Sequence, residues 1–260
     1  MSSTTRRRSF GAAAAGLSTL ELRLLLALAG LGLCALMLPA MTQDPAYHRF
    51  ADARTLLGVP NALDVLSNLG FLVAGLYGLH QVASGRLRSF SAAMKAGVVV
   101  TFLGFVATAI GSAAYHLAPA DAVLVADRLG MVVAFAGVLG MAAAQRVSAR
   151  AGFALLGTAF ALGLCSVTVW SAFGTLTPYA VMQFGGIALL LGMLTAPALG
   201  PGPNWLWLVA AYVAAKVFEG ADAFVWDLTG HVVSGHTLKH LVAALPVLAV
   251  TMALDRLTGG

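Results

Sequence analysis

Long apolar stretches, separated by short polar breaks, make up most of the chain. The longest segment without an Asp, Glu, Lys or Arg runs from Ala151 to Ala215, a length of 65 residues. A helix that spans a membrane needs about 20 mostly apolar residues, and the core of a soluble protein does not account for an uncharged run this long. The pattern therefore predicts helices that cross a lipid bilayer.

Breaks in the apolar pattern divide the chain into eight predicted spans. Clusters of glycine and proline punctuate helices, and two of them, at 174–178 and 200–204, divide the long uncharged run. The predicted fold class is all-α, that of a polytopic membrane protein. The eight spans are predicted to lie close to residues 22–41, 61–82, 94–116, 121–144, 151–173, 178–199, 205–228 and 234–254.

The composition agrees with this prediction. Of the 260 residues, 60% are hydrophobic and 10% are charged, against roughly 25% charged in an ordinary soluble domain. The net charge is +5, but the cations are dispersed along the predicted membrane edges. The expected partner is therefore the lipid bilayer, and nucleic-acid binding is not expected.

The distribution of Lys and Arg predicts the orientation, because an excess of these residues marks the cytoplasmic side. With eight spans, one face holds both termini and the loops after spans two, four and six. That face carries ten of the fifteen Lys and Arg residues, namely Arg6, Arg7, Arg8, Arg23, Arg86, Arg88, Lys95, Arg146, Arg150 and Arg256. Both termini of this multi-pass protein of the cell membrane are therefore predicted to be cytoplasmic. The first span also fits a signal peptide, although its length of about 20 apolar residues favours an uncleaved helix.

Ionisable residues inside a membrane are costly and usually mark function. Predicted spans three, four and eight contain such residues at their ends, and one serine lies beside them. The predicted topology puts all three ends on the non-cytoplasmic face, so we expect the side chains to converge. The residues are Ser112, His116, Asp127, Arg128, His236 and His240.

The spacing of these residues suits metal chemistry. Residues four apart share one face of a helix, so His236 and His240 can bind one ion, and His116 supplies a third nitrogen. Three protein ligands with an open position are typical of catalytic zinc. Asp127 is then positioned to transfer a proton, and Ser112 to donate a hydrogen bond to a developing oxyanion. A histidine pair alone is a weak motif and more often marks hydrogen-bonded packing residues, so the prediction depends on the third histidine and Asp127 lying on the same face.

Three segments resemble a known family. Residues 111–116 read Gly-Ser-Ala-Ala-Tyr-His, Asp127 follows eleven residues after the histidine, and residues 236–240 read His-Thr-Leu-Lys-His. Together with Ser67-Asn68, they are similar to motifs of the alkaline ceramidases. The likeness covers roughly residues 61–255, and it extends to the superfamily of seven-helix membrane hydrolases that includes the adiponectin-type receptors.

The resemblance implies a zinc-dependent amidase that cleaves ceramide, or a related N-acyl lipid, to a sphingoid base or amine and a fatty acid. It implies zinc ligands at His116, His236 and His240, a proton shuttle at Asp127 and an oxyanion contact from Ser112. The fold implied is a seven-helix ceramidase-like bundle over 61–260. Residues 1–60 then form a cytoplasmic N-terminus, one extra N-terminal transmembrane helix and an outer loop, which makes eight spans.

The calcium site of the ceramidases is not matched in full. Asp52 keeps one oxygen ligand, but Asn61 stands where the family has Glu, and calcium prefers several oxygens. Asp44 and Asp64 are alternative donors, or basic residues of the loop replace the ion by internal pairing. The other ligand places hold Tyr47, His48 and Phe50, and the basic residues are His48, Arg49 and Arg54.

Charged residues also enter the last two predicted spans. Lys216, Glu219 and Asp222 lie three apart and form one helical stripe, which predicts an internal ion pair and makes Asp222 a candidate for orienting a metal-bound histidine. Lys239 is predicted to turn away from the histidine pair, toward Asp121 or a lipid headgroup.

A second function fits the same His and Asp cluster. A receptor-like protein or a proton-coupled transporter can use such residues to sense a ligand or relay protons. Transporters more often show broken spans in two repeated halves, which this sequence lacks. Metal content separates the two hypotheses, because only the hydrolase requires zinc.

Overall fold

The computed structural model describes residues 16–88, 90–246 and 250, and within these ranges the protein is built from helices. The helices are α1 (Thr19–Met37), α2 (Ala62–Ser67), α3 (Leu69–Ala83), α4 (Ala92–Leu117), α5 (Asp121–Arg146), α6 (Ala149–Phe173), α7 (Thr177–Ala180), α8 (Gly186–Leu194), α9 (Trp205–Gly220), α10 (Asp222–Leu228) and α11 (Gly235–Ala244). A π-helical turn, Val181–Gly185, joins α7 to α8, and a 3-10 turn, Pro45–His48, lies in the loop after α1.

Six helices in the described ranges are long and apolar enough to cross a membrane. They coincide with the first six predicted spans, with α2 and α3 joined as one and α7 and α8 joined as another. The chain is therefore an all-α membrane protein. The seventh predicted span is divided at Ala221, between α9 and α10, and the eighth contains α11 and then passes out of the described ranges. The total of eight spans stays a prediction.

Serine side chains set the starts of several helices. At an N-cap, a serine oxygen accepts a hydrogen bond from a backbone N–H that the helix leaves unpaired. Ser91, Ser148 and Ser234 do this for α4, α6 and α11. The cap at Ser234 places His236 and His240 in the first two turns of α11, so the local sequence fixes the position of both imidazoles.

Small residues let the helices around the site approach closely. A Cβ atom at Gly111 of α4 would collide with the backbone of Ala126 in α5, and one at Gly235 of α11 would collide with the carbonyl of Phe218 in α9. Close contact of backbones through glycine is typical of helices in lipid. Both contacts lie within one residue of predicted site residues, so they bring the elements of the site together.

The first helix lies at the edge of the bundle. Many of its leucines are exposed, as expected for a helix that faces lipid. Its N-terminal end is fixed by Glu21, whose carboxylate accepts hydrogen bonds from Arg150 Nη2 at 2.6 Å and from Ser148 Oγ at 2.7 Å. A buried carboxylate with these partners anchors α1 to the start of α6.

Candidate metal centre

Three buried imidazoles meet at one end of the bundle. The ring centroids of His116 and His236 are 4.8 Å apart, and each lies 4.9 Å from that of His240. One ligand nitrogen from each ring lies within 4.8 Å of the others. The structure thus brings together the three histidines that the sequence proposes as ligands, in an arrangement compatible with a metal ion.

Hydrogen bonding determines which nitrogen of His240 is available. The Ser67 hydroxyl donates its single hydrogen to the Asp64 carbonyl at 2.9 Å, so its oxygen accepts from His240 Nδ1 at 2.7 Å. With Nδ1 carrying the proton, Nε2 keeps the lone pair that a metal ligand needs. Ser67 is therefore a positioning residue, a role that the sequence motif Ser-Asn did not reveal.

The other two imidazoles have unpaired nitrogens. His116 Nδ1 and His236 Nε2 are buried, and neither has a hydrogen-bond partner in the described part of the chain. Buried polar atoms are nearly always satisfied, so two such nitrogens in one cluster call for a further partner. A metal ion between the three rings would supply that partner.

Two polar side chains hold the ligand helices by their backbones. Asn61 Nδ2 donates to the backbone carbonyl of His116 at 2.8 Å, and Asp222 Oδ1 accepts from the backbone N–H of His236 at 2.7 Å. The second oxygen of Asp222 accepts from the backbone N–H of Ala51 at 3.0 Å. Asp222 thus orients a histidine through its main chain instead of its ring. It also attaches to α11 the loop between α1 and α2, residues 38–61, here called the outer loop after its predicted position.

Replacing Asp222 with alanine is expected to weaken metal binding by roughly 10–100-fold, the usual cost of losing a group that orients a ligand. The start of α11 and the loop at Ala51 both lose their acceptor. The measurement is the zinc affinity in competition with a chelator. Asp227→Ala is the matched control, because that carboxylate is exposed on α10, and equal affinities of the two variants would contradict the prediction.

The outer loop covers the imidazoles. The Phe50 ring lies 4.6 Å from that of His116 and 5.0 Å from that of His236. Next to it, His48 Nδ1 forms a hydrogen bond with the Tyr115 hydroxyl at 2.9 Å. Phe50 therefore closes one side of the histidine cluster. The sequence around Phe50 does not predict this contact.

A cavity of about 500 Å³ reaches the cluster at His240. Ser112 and Asp127 line it as well, and both are buried in the bundle. The close approach of α4 and α5 at Gly111 places Asp127 beside the last turns of α4. Asp127, predicted for proton transfer, and Ser112, predicted for oxyanion contact, therefore line the same cavity as His240, a candidate metal ligand.

Most of the cavity wall is apolar. It is formed largely by aromatic and aliphatic side chains of the bundle, among them Phe71, Phe102, Phe105, Phe135 and Leu208. A cavity with apolar walls and a polar end suits a ligand with a hydrocarbon chain and one reactive polar group.

The loop in which the sequence resemblance predicts a calcium site is internally paired. Both oxygens of Asp52 accept hydrogen bonds from Arg54, from Nε at 2.8 Å and from Nη2 at 2.7 Å. Burial acts to raise the pKa of Asp52, but the hydrogen bonds from Arg54 outweigh it, so the pKa lies below its usual range. Asn61 binds a backbone carbonyl, and Asp44 caps the 3-10 turn. The sequence left two alternatives for this loop, other oxygen donors for calcium or internal pairing with a basic residue. The structure contains the internal pair, between Asp52 and Arg54.

The stripe on α9 contains the predicted ion pair. Lys216 Nζ donates to Glu219 Oε2 at 2.7 Å. The predicted direction of Lys239 toward Asp121 was wrong, because Lys239 Nζ donates to Glu219 Oε1 at 2.9 Å, while Asp121 lies 3.3 Å from His48 Nε2. The contact depends on how α9 packs against α11, which residue spacing on one helix does not encode.

Arg128 also lies on the wall of the cavity. Its guanidinium stacks on Trp170, 3.7 Å from the ring centroid, and its Nη2 donates to Gln43 at 2.6 Å. Stacking and this hydrogen bond attach α5 to α6 and to the outer loop. Arg128 thus has a structural role next to Asp127.

Comparison of the chain with models of protein families, with curated proteins and with solved structures found no match. The likeness to the alkaline ceramidases therefore rests on the sequence motifs alone. The candidate metal centre rests on the geometry of the three histidines.

Proposed function

We propose that the protein is a zinc-dependent membrane amidase that hydrolyses the amide bond of ceramide or a related N-acyl lipid. The products are a fatty acid and a sphingoid base or amine. The observation that carries this proposal is the cluster of three buried imidazoles at the end of an apolar cavity. A metal next to a hydrocarbon-binding cavity suits chemistry on a lipid.

The donor set fits zinc. Imidazole nitrogens are common zinc ligands, and three of them with an open position are found in catalytic sites. The unpaired nitrogens of His116 and His236, and the free Nε2 of His240, would hold the ion. When bound, zinc supplies Lewis acidity that makes water a usable nucleophile near neutral pH.

Asp127 and Ser112 supply the remaining steps in this proposal. Asp127 takes a proton from the attacking water and delivers it to the amide nitrogen, so that the C–N bond breaks and the amine leaves. The Ser112 hydroxyl donates a hydrogen bond to the carbonyl oxygen, on which negative charge develops. Both side chains line the cavity in which the acyl chain would lie.

The experiment that tests this function uses a panel of lipids. Purified, zinc-loaded protein is incubated with ceramide and with N-acylethanolamines that carry a labelled acyl chain, and released fatty acid is measured. We expect release from at least one of them and its loss when a chelator removes zinc. A metal-free protein that releases no fatty acid from the panel would overturn the proposal and favour the receptor-like or proton-coupled alternative.

A further inference from the structure

Three charged side chains meet in the cavity close to the metal centre. Glu219 accepts hydrogen bonds from Lys239 at 2.9 Å and from Lys216 at 2.7 Å, and it uses a different oxygen for each. The side chains of Lys216, Glu219 and Lys239 are 32%, 20% and 18% exposed. All three line the cavity, so the cluster is accessible to a ligand. Lys216 and Lys239 are here called the lysine pair.

The lysine pair carries one positive charge more than Glu219 neutralises. Elsewhere in the lining, Arg128 and Asp127 contribute one charge of each sign. Asp44 adds a third carboxylate to the lining, which balances the cavity as a whole, but it lies exposed in the outer loop, where it caps a turn. Uncompensated charge within a membrane is costly and usually functional. The local excess of one cation, at two lysines that share one carboxylate, suits one negative charge from a ligand.

Hydrogen-bond capacity leads to the same conclusion. Each ammonium group has three N–H donors, whereas Glu219 offers only two oxygens to the two lysines, and each oxygen accepts from one of them. Donors therefore remain on groups that face the cavity. An acceptor that is also an anion would satisfy both the donors and the charge.

Lys239 lies where the polar end of an acyl lipid would be. It precedes His240 on α11, and both residues line the cavity. Tyr47 of the outer loop lines the same cavity as Lys239, so the loop and the ammonium face one space. A hydrocarbon chain in the apolar part of the cavity would thus have its polar group next to the lysine pair.

We propose that the lysine pair is a binding subsite for the carboxylate of a long-chain lipid. One excess positive charge matches a carboxylate, which has a single negative charge, better than a phosphate monoester, which has close to two near neutral pH. The carboxylate has two chemical sources, the fatty acid released by amide hydrolysis or the acidic headgroup of an N-acyl amino acid. Both sources rest on the proposed amide hydrolysis, but binding of the carboxylate can be measured without turnover.

The test is calorimetric titration of the full-length, as-purified protein in a non-ionic detergent with oleate and with oleyl alcohol, which share one chain and differ in charge. We expect oleate to bind at least about tenfold more tightly, as a charge-assisted hydrogen bond predicts. Lys239→Met keeps most of the side-chain length and should remove this preference. Lys95→Met, a lysine near the start of α4 that donates to the Arg88 carbonyl, is the matched control and should keep it.

A second variant guards against a folding defect in Lys239→Met. Glu219→Gln retains both lysines and removes the competing negative charge, so its affinity for oleate should rise. An oleate preference that survives Lys239→Met, as it would if the carboxylate bound only to the metal, overturns the inference. Equal affinities of the wild-type protein for oleate and oleyl alcohol, or a lower oleate affinity of Glu219→Gln, overturn it as well.

Titration with N-oleoylglycine and N-oleoylethanolamine separates the two sources. A preference for N-oleoylglycine that depends on Lys239 supports the subsite and assigns the carboxylate to a substrate headgroup. Dependence on Lys239 for oleate alone supports the subsite and assigns it to the product. Absence of hydrolysis of all three amides, N-oleoylglycine, N-oleoylethanolamine and ceramide, would count against the proposed function, while the oleate preference would still decide the subsite.

Discussion

Replacing His236 with alanine is expected to remove zinc and amide hydrolysis together. The wild-type protein should contain about one zinc ion per chain, and the variant should contain almost none, because two imidazoles and no third ligand remain. Activity should fall by roughly a thousandfold or more, since water without the metal returns from a pKa near 7 toward 15.7. Metal content by mass spectrometry and fatty acid release from the labelled lipid are the two measurements.

The matched control is His80→Ala, because His80 is an exposed histidine at the end of α3 and does not belong to the cluster. That variant should retain both zinc and activity. Loss of activity in His236→Ala with a full complement of zinc would show that the ion binds elsewhere. Full activity without zinc would remove the metal from the mechanism.

The convergence of the three histidines was predictable because membrane topology restricts where a helix end can lie. Once Lys and Arg assign the faces, the end of α4 and the starts of α5 and α11 are expected on one side of the bilayer. Spacing of four residues then puts His236 and His240 on one helical face. Both arguments place the residues at one end of the bundle and on one helical face, whereas contact between the three rings depends on how the helices pack.

The contacts that support the ligands were not predictable in the same way. Asn61 contacts His116, 55 positions further along the chain, and Ser67 contacts His240, 173 positions further along. Helical spacing does not predict contacts between residues so far apart in the sequence. The partner of Lys239 was wrongly assigned for the same reason, since α11 meets α9 through Gly235 and Phe218. These contacts depend on packing between helices, which hydrophobic periodicity does not specify.

The seventh predicted span shows the limit of reading helices from hydropathy. Residues 205–228 are apolar enough to suggest one span, yet the helix is interrupted at Ala221 and α10 begins at Asp222. The Asp222 carboxylate at this break binds two backbone N–H groups, those of Ala51 and His236. The interruption thus supplies an acceptor to the metal centre, and a tertiary contact outweighs continuity of the helix.

Replacing Asp127 with asparagine is expected to lower the rate of amide hydrolysis by roughly 10²–10⁴-fold, the usual contribution of a positioned acid-base group. Asparagine has nearly the same shape and can still accept a hydrogen bond, but it cannot transfer the proton from water to the leaving amine. Zinc content should stay unchanged, because Asp127 is not one of the clustered ligands. A variant with normal zinc and little turnover would therefore separate proton transfer from metal binding.

Asp121→Asn is the matched control for this prediction. Asp121 begins the same helix, its side chain is 63% exposed, and its contact is with His48 in the outer loop. An exposed ion pair contributes about 1 kcal/mol or less, so this variant should keep most of its activity. Fatty acid release that is as fast in Asp127→Asn as in the wild-type protein would require another group to carry the proton. Within the lining of the cavity, Glu219 is the other carboxylate on a helix, and the double variant with Glu219→Gln would then identify the shuttle.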